Sequence, residues 1–386
     1  MLPGDHLASD PDAYTQSFQE WKDGKHRNPI IASRRTIYVV QSPEIDPEVE
    51  FMREWSTPLH SHNFKRRNDT KHPQPNDIRD YLAAFYRGLE VKILSPSDLC
   101  FVSWELDPSK RKTGEIPEKI GLLIGDTCHG IRARPAPDNI YKAQLYIPDL
   151  LTSARDLLPS DAYALLFLTN IDLYEDETDI FTCGRAYGSL RVAAVSTARY
   201  NPTLDDTHNI DRQHSWPASH CEAYMTSHLA HEPKRPRPNT TTRSAQIQST
   251  PLDPPTSPMK RAISKYRSLT PLWPLSSQEQ SALWLGRICR TASHELGHCF
   301  GIAHCVYYAC SMQGSASVCE DARQPPYLCP VDLAKVVCAT SSSAEGRYRA
   351  LLAFCERGGL RDSLFFAPYA AWMRGRSEEG DLGGEL

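Results

Sequence analysis

Eleven residues, HELGHCFGIAH from His294 to His304, bring together three imidazoles and one carboxylate at a spacing that suits a zinc ion with a water ready for hydrolysis. His294 and His298 stand four apart, so on a helix they share one face, a turn from each other. Glu295 sits beside the first and can reach a water on the ion without taking a coordination position. Gly301 lets the chain turn sharply, so that His304 returns from outside the helix as a third ligand. Three protein ligands leave a fourth position open, and an open position separates catalytic from structural zinc. The chemistry expected is hydrolysis. The ion's charge polarises a carbonyl and lowers the pKa of its water to roughly 7, while Glu295 removes the proton and passes it to the leaving amine.

After His304 come Cys305, Cys310 and Met312, then Cys329 and Asp332 in the segment LCPVDLAKV. HExxHxxGxxHC followed by C-x-M and a later CP pair resembles the archaemetzincins, a family in the metzincin clan of zinc metallopeptidases. The resemblance runs over residues 35–200 and 273–355. It implies an α/β (α+β) metzincin-like zinc-protease fold: a mixed twisted sheet backed by helices, then a small irregular C-terminal subdomain with a Met-turn. It implies a catalytic zinc on His294, His298 and His304, Glu295 as general base and acid, and Met312 as an apolar floor beneath the metal. The substrate class it implies is a peptide or protein. Cys305, Cys310 and Cys329 match three positions of a four-cysteine structural zinc site, which implies a second ion. The family pattern ends in CxxC, and the corresponding pair here is Cys329 and Asp332. Aspartate is a legitimate zinc ligand, and Cys319 and Cys338 stay open as alternatives for the fourth place. In such a fold the sheet's edge strand borders the cleft and pairs with extended substrate backbone. That strand is expected within Phe181–Ser189, with Gly184 and Tyr187 at the cleft. The other functional class is a catalytically weak or inactive zinc protein that binds peptides on the same scaffold. Intact Glu295 favours catalysis.

The elements that must position these residues are legible in part. Ser276 and Glu279 form the spacing of a capping box, and Pro274 discourages an earlier start, so a helix is expected over 275–300. Leu285, Ile288, Cys289, Ala292, Leu296 and Cys299 make one apolar stripe, with His294 and His298 on the side away from Leu296. Upstream, RRTIYVV from Arg34 reads as a strand, and DYLAAFYRGLEVKIL from Asp80 as a helix passing through Gly88 into a strand. IPDLLTSARDLL reads as a helix, ALLFLTNIDLY as a buried strand, and the stretch up to Tyr200 as further strand structure. Asp172, in IDLY, reads as a strand-end or turn carboxylate.

The organisation expected is a polar N-terminal tail over 1–34, an upper catalytic subdomain over 35–304, a lower cysteine-containing subdomain over 305–374 with a C-terminal helix, and a loose tail over 375–386. Within the upper part, 201–272 is rich in Pro, Ser, Thr, His and Arg and is read as a mobile insertion. Its histidines (His208, His214, His220, His228 and His231) have no regular ligand spacing, and PKRPRP from Pro233 reads as a charged loop. A net charge of -4 argues against nucleic acid or acidic membrane as a general partner. The opening MLPGDHLASDPDAY lacks an apolar signal region, and no run reaches the length of a membrane span. An intracellular monomer, cytoplasmic or nuclear, is therefore expected, its twelve cysteines reduced or metal-bound.

Overall fold

A computed structural model describes residues 13–25, 27–59, 70–96, 98–104, 114–212, 214–220, 257–269 and 274–380. The first half contains α1 (Phe18–Asp23), β1 (Thr36–Val40), β2 (Glu44–Ile45), α2 (Pro75–Phe85), β3 (Glu90–Leu94), β4 (Leu99–Val102), β5 (Lys119–Ile124), β6 (Thr127–Pro135) and β7 (Ala143–Tyr146). Then come α3 (Ile147–Ala154), β8 (Ala162–Thr169), β9 (Asp172–Tyr174), β10 (Gly184–Tyr187) and β11 (Val192–Ser196). The rest is helical: α4 (Pro258–Ser268), α5 (Ser277–Cys299), α6 (Val318–Arg323), α7 (Pro330–Thr340), α8 (Ala344–Cys355) and α9 (Phe366–Gly380).

The chain is thus a mixed α/β protein with two sheets. The first has the order β10-β11-β8-β1-β3 and is parallel except for β10, which runs antiparallel to β11 at one edge. All eight residues of β8, AYALLFLT, are buried, as expected of a strand covered on both faces. Its alternation divides the interior. Ala164, Leu166 and Leu168 join a core with Ile288, Ala292 and Leu296 of α5, while Leu165 and Phe167 join a second core with Leu150 and Leu151 of α3. The second sheet, β2-β4-β5-β6-β7-β9, packs its apolar face into that second core through Phe101, Ile120, Leu122 and Ile131. The sequence reading did not separate this sheet, because β2, β4, β7 and β9 are only two to four residues long, too short to show a period.

The helix α5 begins where expected. Ser276 Oγ accepts a hydrogen bond from Glu279 N at 3.2 Å, but the Glu279 carboxylate accepts from Leu364 N instead of closing a capping box. Every residue of the expected apolar stripe is buried. The helix stops because Gly301 adopts φ +74, a left-handed turn in which Ile302 N donates to Gly297 O at 3.2 Å.

Three boundary expectations need correction. Residues 13–34 are no tail: α1 carries a complete Ser17/Glu20 capping box, and Trp21, 1% exposed, donates its indole N–H to Phe300 O at 2.9 Å. The span 201–272 is folded at both ends. Asp205 is buried in an ion pair with Arg287, and α4 docks on α9, with Pro258 against Gly375 and Arg261 paired to Glu378. His208 is half-buried against Phe181, and His214 pairs with Asp211. Residues 221–256, with His228, His231 and PKRPRP, lie outside the described residues, as do 1–12 and 381–386. Finally, the C-terminal helix continues to Gly380, so 375–380 are not loose.

Asp172 has a clear place. It is fully buried, bonded to Arg199 Nε at 2.9 Å and Nη2 at 2.5 Å and to Gln144 Nε2 at 2.8 Å, while Arg199 Nη1 also reaches Asp138 at 2.6 Å.

Candidate metal centre and cleft

The polar side of α5 presents His294 and His298 to a cleft of about 440 Å³ lined also by His304, Glu295 and Gly184. His294 Nδ1 lies 2.7 Å from Ser311 O, and His298 Nδ1 lies 2.7 Å from Ile302 O. A carbonyl oxygen only accepts, so each Nδ1 carries the proton and each Nε2 offers a lone pair. The two Nε2 atoms stand 3.1 Å apart. Two lone pairs at that distance repel unless a cation lies between them. His304 completes the group: its ring centroid is 5.3 Å from that of His294 and 5.0 Å from that of His298, and a ligand atom from each of the three lies within 4.8 Å of the others. Nitrogens bound to one tetrahedral zinc at about 2.1 Å are separated by about 3.4 Å, so the donor set fits that ion. Burial and the neighbouring rings push His294 well below its ordinary pKa and His298 down to about 4, which keeps both in the neutral form a metal requires.

Glu295 is 8% exposed, and burial pushes its carboxyl up to about 8. Gly184, on the edge strand β10, passes directly over it. A Cβ at this position would lie 3.0 Å from Glu295 Cγ and 3.1 Å from Oε1. Strand alternation puts Gly184 and Ala186 on the helix side. Tyr187 falls on the other side, against the second core, and is not among the residues lining the cleft, which corrects the sequence expectation for it. Gly184→Ala is expected to displace the carboxylate by a few tenths of an ångström and lower kcat about 10-fold, with metal content unchanged. Steady-state kinetics beside elemental analysis would check this, and unaltered kcat would remove Gly184 from the site.

Sequence reasoning missed the far wall. Arg290, one turn before His294 and 2% exposed, donates to the Asp321 carboxylate, to Asp321 O and, at 3.1 Å, to Gln324 O, so it pins α6 across the cleft. Arg287 holds the segment 200–205 in the same way, through Asp205 Oδ1 at 2.6 Å and Tyr200 O at 3.3 Å. The available signal was two arginines on the histidine side of the helix, one turn and two turns before His294.

A second cluster lies behind the turn. Cys305, Cys310, Cys329 and Asp332 are all buried, with one ligand atom of each within 4.8 Å of the rest. Cys305 Sγ is 3.6 Å from Cys329 Sγ, and Asp332 Oδ2 is 3.3 Å from Cys310 Sγ and 3.6 Å from Cys329 Sγ. Cys329 N donates to Cys310 Sγ at 3.2 Å, and Met312 N and Asp332 N approach Cys310 Sγ and Cys329 Sγ at 3.5 Å. Amides aimed at sulfur favour thiolates, the form that binds metal, against the burial that pushes the Cys310 thiol well up. Hydrogen bonds from the Cys305 and Cys310 thiols pull Cys329 down to about 4, while burial raises Asp332 to about 6. The alternatives for the fourth place lie elsewhere: Cys319 sits against Asn209 O, and Cys338 is exposed on α7. Met312 O accepts from Cys305 N at 2.8 Å, and the thioether lies under α5, where a Cβ at Gly297 would be 2.5 Å from Sδ.

The family model for Peptidase family M54 matches residues 268–336, the segment holding both clusters. Archaemetzincin-2 of Homo sapiens is 23% identical over 350 residues, 91% of this chain and 71% of its own length. Archaemetzincin-2 of Mus musculus is 25% identical over 286 residues, 74% of this chain and 59% of its own. The crystal structure of archaemetzincin from Methanopyrus kandleri is 15% identical, with a TM-score of 0.36 over 81% of this chain and 98% of that one. Helix, histidines and matches together define a zinc-dependent metallopeptidase, which acts on peptide substrates. Over most of its length the chain is similar to the archaemetzincins. Among the described residues, no helix is long and apolar enough to cross a membrane.

Proposed function

We propose that the chain hydrolyses peptide bonds at a zinc ion held by His294, His298 and His304, with Glu295 as general base and then general acid. The observation that carries this reading is the pair of Nε2 lone pairs facing each other at 3.1 Å, each fixed in that tautomer by a carbonyl on its Nδ1. When bound, zinc supplies a positive charge that polarises a water and the scissile carbonyl. The protein's own groups do the rest. Ser311 O and Ile302 O orient the two imidazoles, in the role that outer partners play at metal sites. Glu295, confined beneath Gly184, holds its carboxylate at the cleft, accepts a proton from water and returns it to the leaving nitrogen. Among the described residues β10 is paired on one side only, and an extended substrate can lie along the other. Met312, under Gly297, is the residue we assign to the Met-turn of a metzincin-like fold, with 35–304 as the upper and 305–374 as the lower subdomain.

The second cluster is read as a structural zinc site of three cysteines and one carboxylate, closed because four protein groups fill it. Elemental analysis tests both sites. Two zinc ions per chain are expected, falling to one in His298→Ala and one in Cys329→Ser, with hydrolysis of a broad peptide library abolished in His298→Ala. A zinc-loaded protein that hydrolyses none of the library would instead have the peptide-binding role. Unchanged zinc content in His298→Ala would rule out the imidazole site.

A further inference from the structure

A line of contacts joins the two clusters through side chains that hold no metal. Asp332 directs Oδ2 at Cys310 and Cys329 and Oδ1 at Lys335 Nζ, 2.9 Å away. The Lys335 side chain is 2% exposed, and its ammonium, ion-paired with Asp332, donates to Gln16 O at 2.7 Å and Gln16 Oε1 at 3.0 Å. The Gln16 amide brackets the residue after Gly301: Nε2 donates to Gly301 O at 3.0 Å, and Oε1 accepts from Ala303 N at 3.0 Å. Between those two, Ile302 O is the acceptor that orients His298, and His304 follows directly after Ala303.

Burying an ammonium group is costly unless it is paired, so Lys335 must be explained by what it holds. Three thiolates and a carboxylate around a dication leave an excess of two negative charges, and Lys335 offsets one of them. A thiolate would present a single ligand atom here. A carboxylate presents two, one for the cluster and one for the lysine. We infer that Asp332, standing where a fourth cysteine would, ties the cysteine cluster to the imidazole cluster, and that Lys335 and Gln16 are positioning residues for the turn carrying His298 and His304. The inference rests on reading both clusters as zinc sites.

Release of zinc from the holoprotein to a chromogenic chelator tests it, with kcat and KM measured on a quenched fluorescent peptide. The two release phases are assigned with His298→Ala and Cys329→Ser. Gln16→Ala should speed release from the imidazole site and lower kcat, each about 10-fold, with little change in KM. Asp332→Cys should keep two ions yet speed release from the same imidazole site, because a ligating thiolate cannot hold Lys335. The Gln16→Ala/Asp332→Cys double variant should resemble either single one, and Lys335→Arg should recover part of what Lys335→Met loses. Additive effects in the double variant, or wild-type release and turnover in Asp332→Cys, would overturn the coupling and leave both sites standing. A single zinc in the wild-type protein that survives Cys329→Ser would remove the second site and the inference together.

Discussion

Glu295→Gln should lower kcat by about 10²–10⁴ while the protein keeps its zinc, because the substitution preserves shape under Gly184 but removes the only carboxylate within α5's polar face at the histidines. Glutamine is preferred to alanine, since a cavity beneath β10 would let the strand settle and blur the result. The same variant carries a second signature. Burial raises the Glu295 carboxyl from an ordinary 4.5 to about 8 in the metal-free protein. A carboxyl raised on folding stabilises fully below its unfolded value, and that contribution is lost as pH rises through the folded value. The Glu295 contribution should therefore be lost between pH 4.5 and about 8 in the metal-free wild type and be absent from Glu295→Gln. The difference in Tm between the two metal-free proteins would then grow from pH 5 to pH 8. Hydrolysis retained within a few-fold would remove Glu295 from the proton-transfer role.

Arg199→Ala should cost about 3–5 kcal/mol of stability, the largest effect expected outside the site. The guanidinium is fully buried between Asp172, also fully buried, and Asp138, and it lies 4.3 Å from the centre of the Phe181 ring, at the cleft wall. Removing it leaves two carboxylates facing each other without a cation. Asp172 already has its carboxyl raised by burial with the arginine in place. Urea unfolding of the zinc-loaded protein would measure the loss, and a change below about 1 kcal/mol would mean that Asp172 and Asp138 find other partners or water.

These two predictions differ in how far they could be read from the chain. The imidazoles and Glu295 were legible because a helix converts spacing directly into geometry, and six apolar residues fix which side faces the core. The cysteine set was legible through the family it resembles, and its fourth member had to wait for the fold, which leaves Cys319 and Cys338 away from the cluster. Arg199 and Asp172 are 27 residues apart and meet only because β9 and the segment after β11 lie side by side. The N-terminal arm was misread because composition averages over a segment, whereas Trp21 and Gln16 act as single contacts. The same averaging concealed α4 inside a span rich in proline and serine.

Among the described residues the outer edge of β10 is unpaired. An open strand edge must admit a guest and refuse a copy of itself, since any unpaired edge can template association between chains. Here the edge is four residues long, begins with a glycine, and bears Arg185, half-exposed and ion-paired with Glu175 at 3.0 Å. It faces a wall, α6, held by the buried arginine of the histidine helix. Shortness, charge and the opposing wall would let a single extended segment enter while leaving little room for a second sheet, so the edge proposed for substrate would also be guarded against self-association.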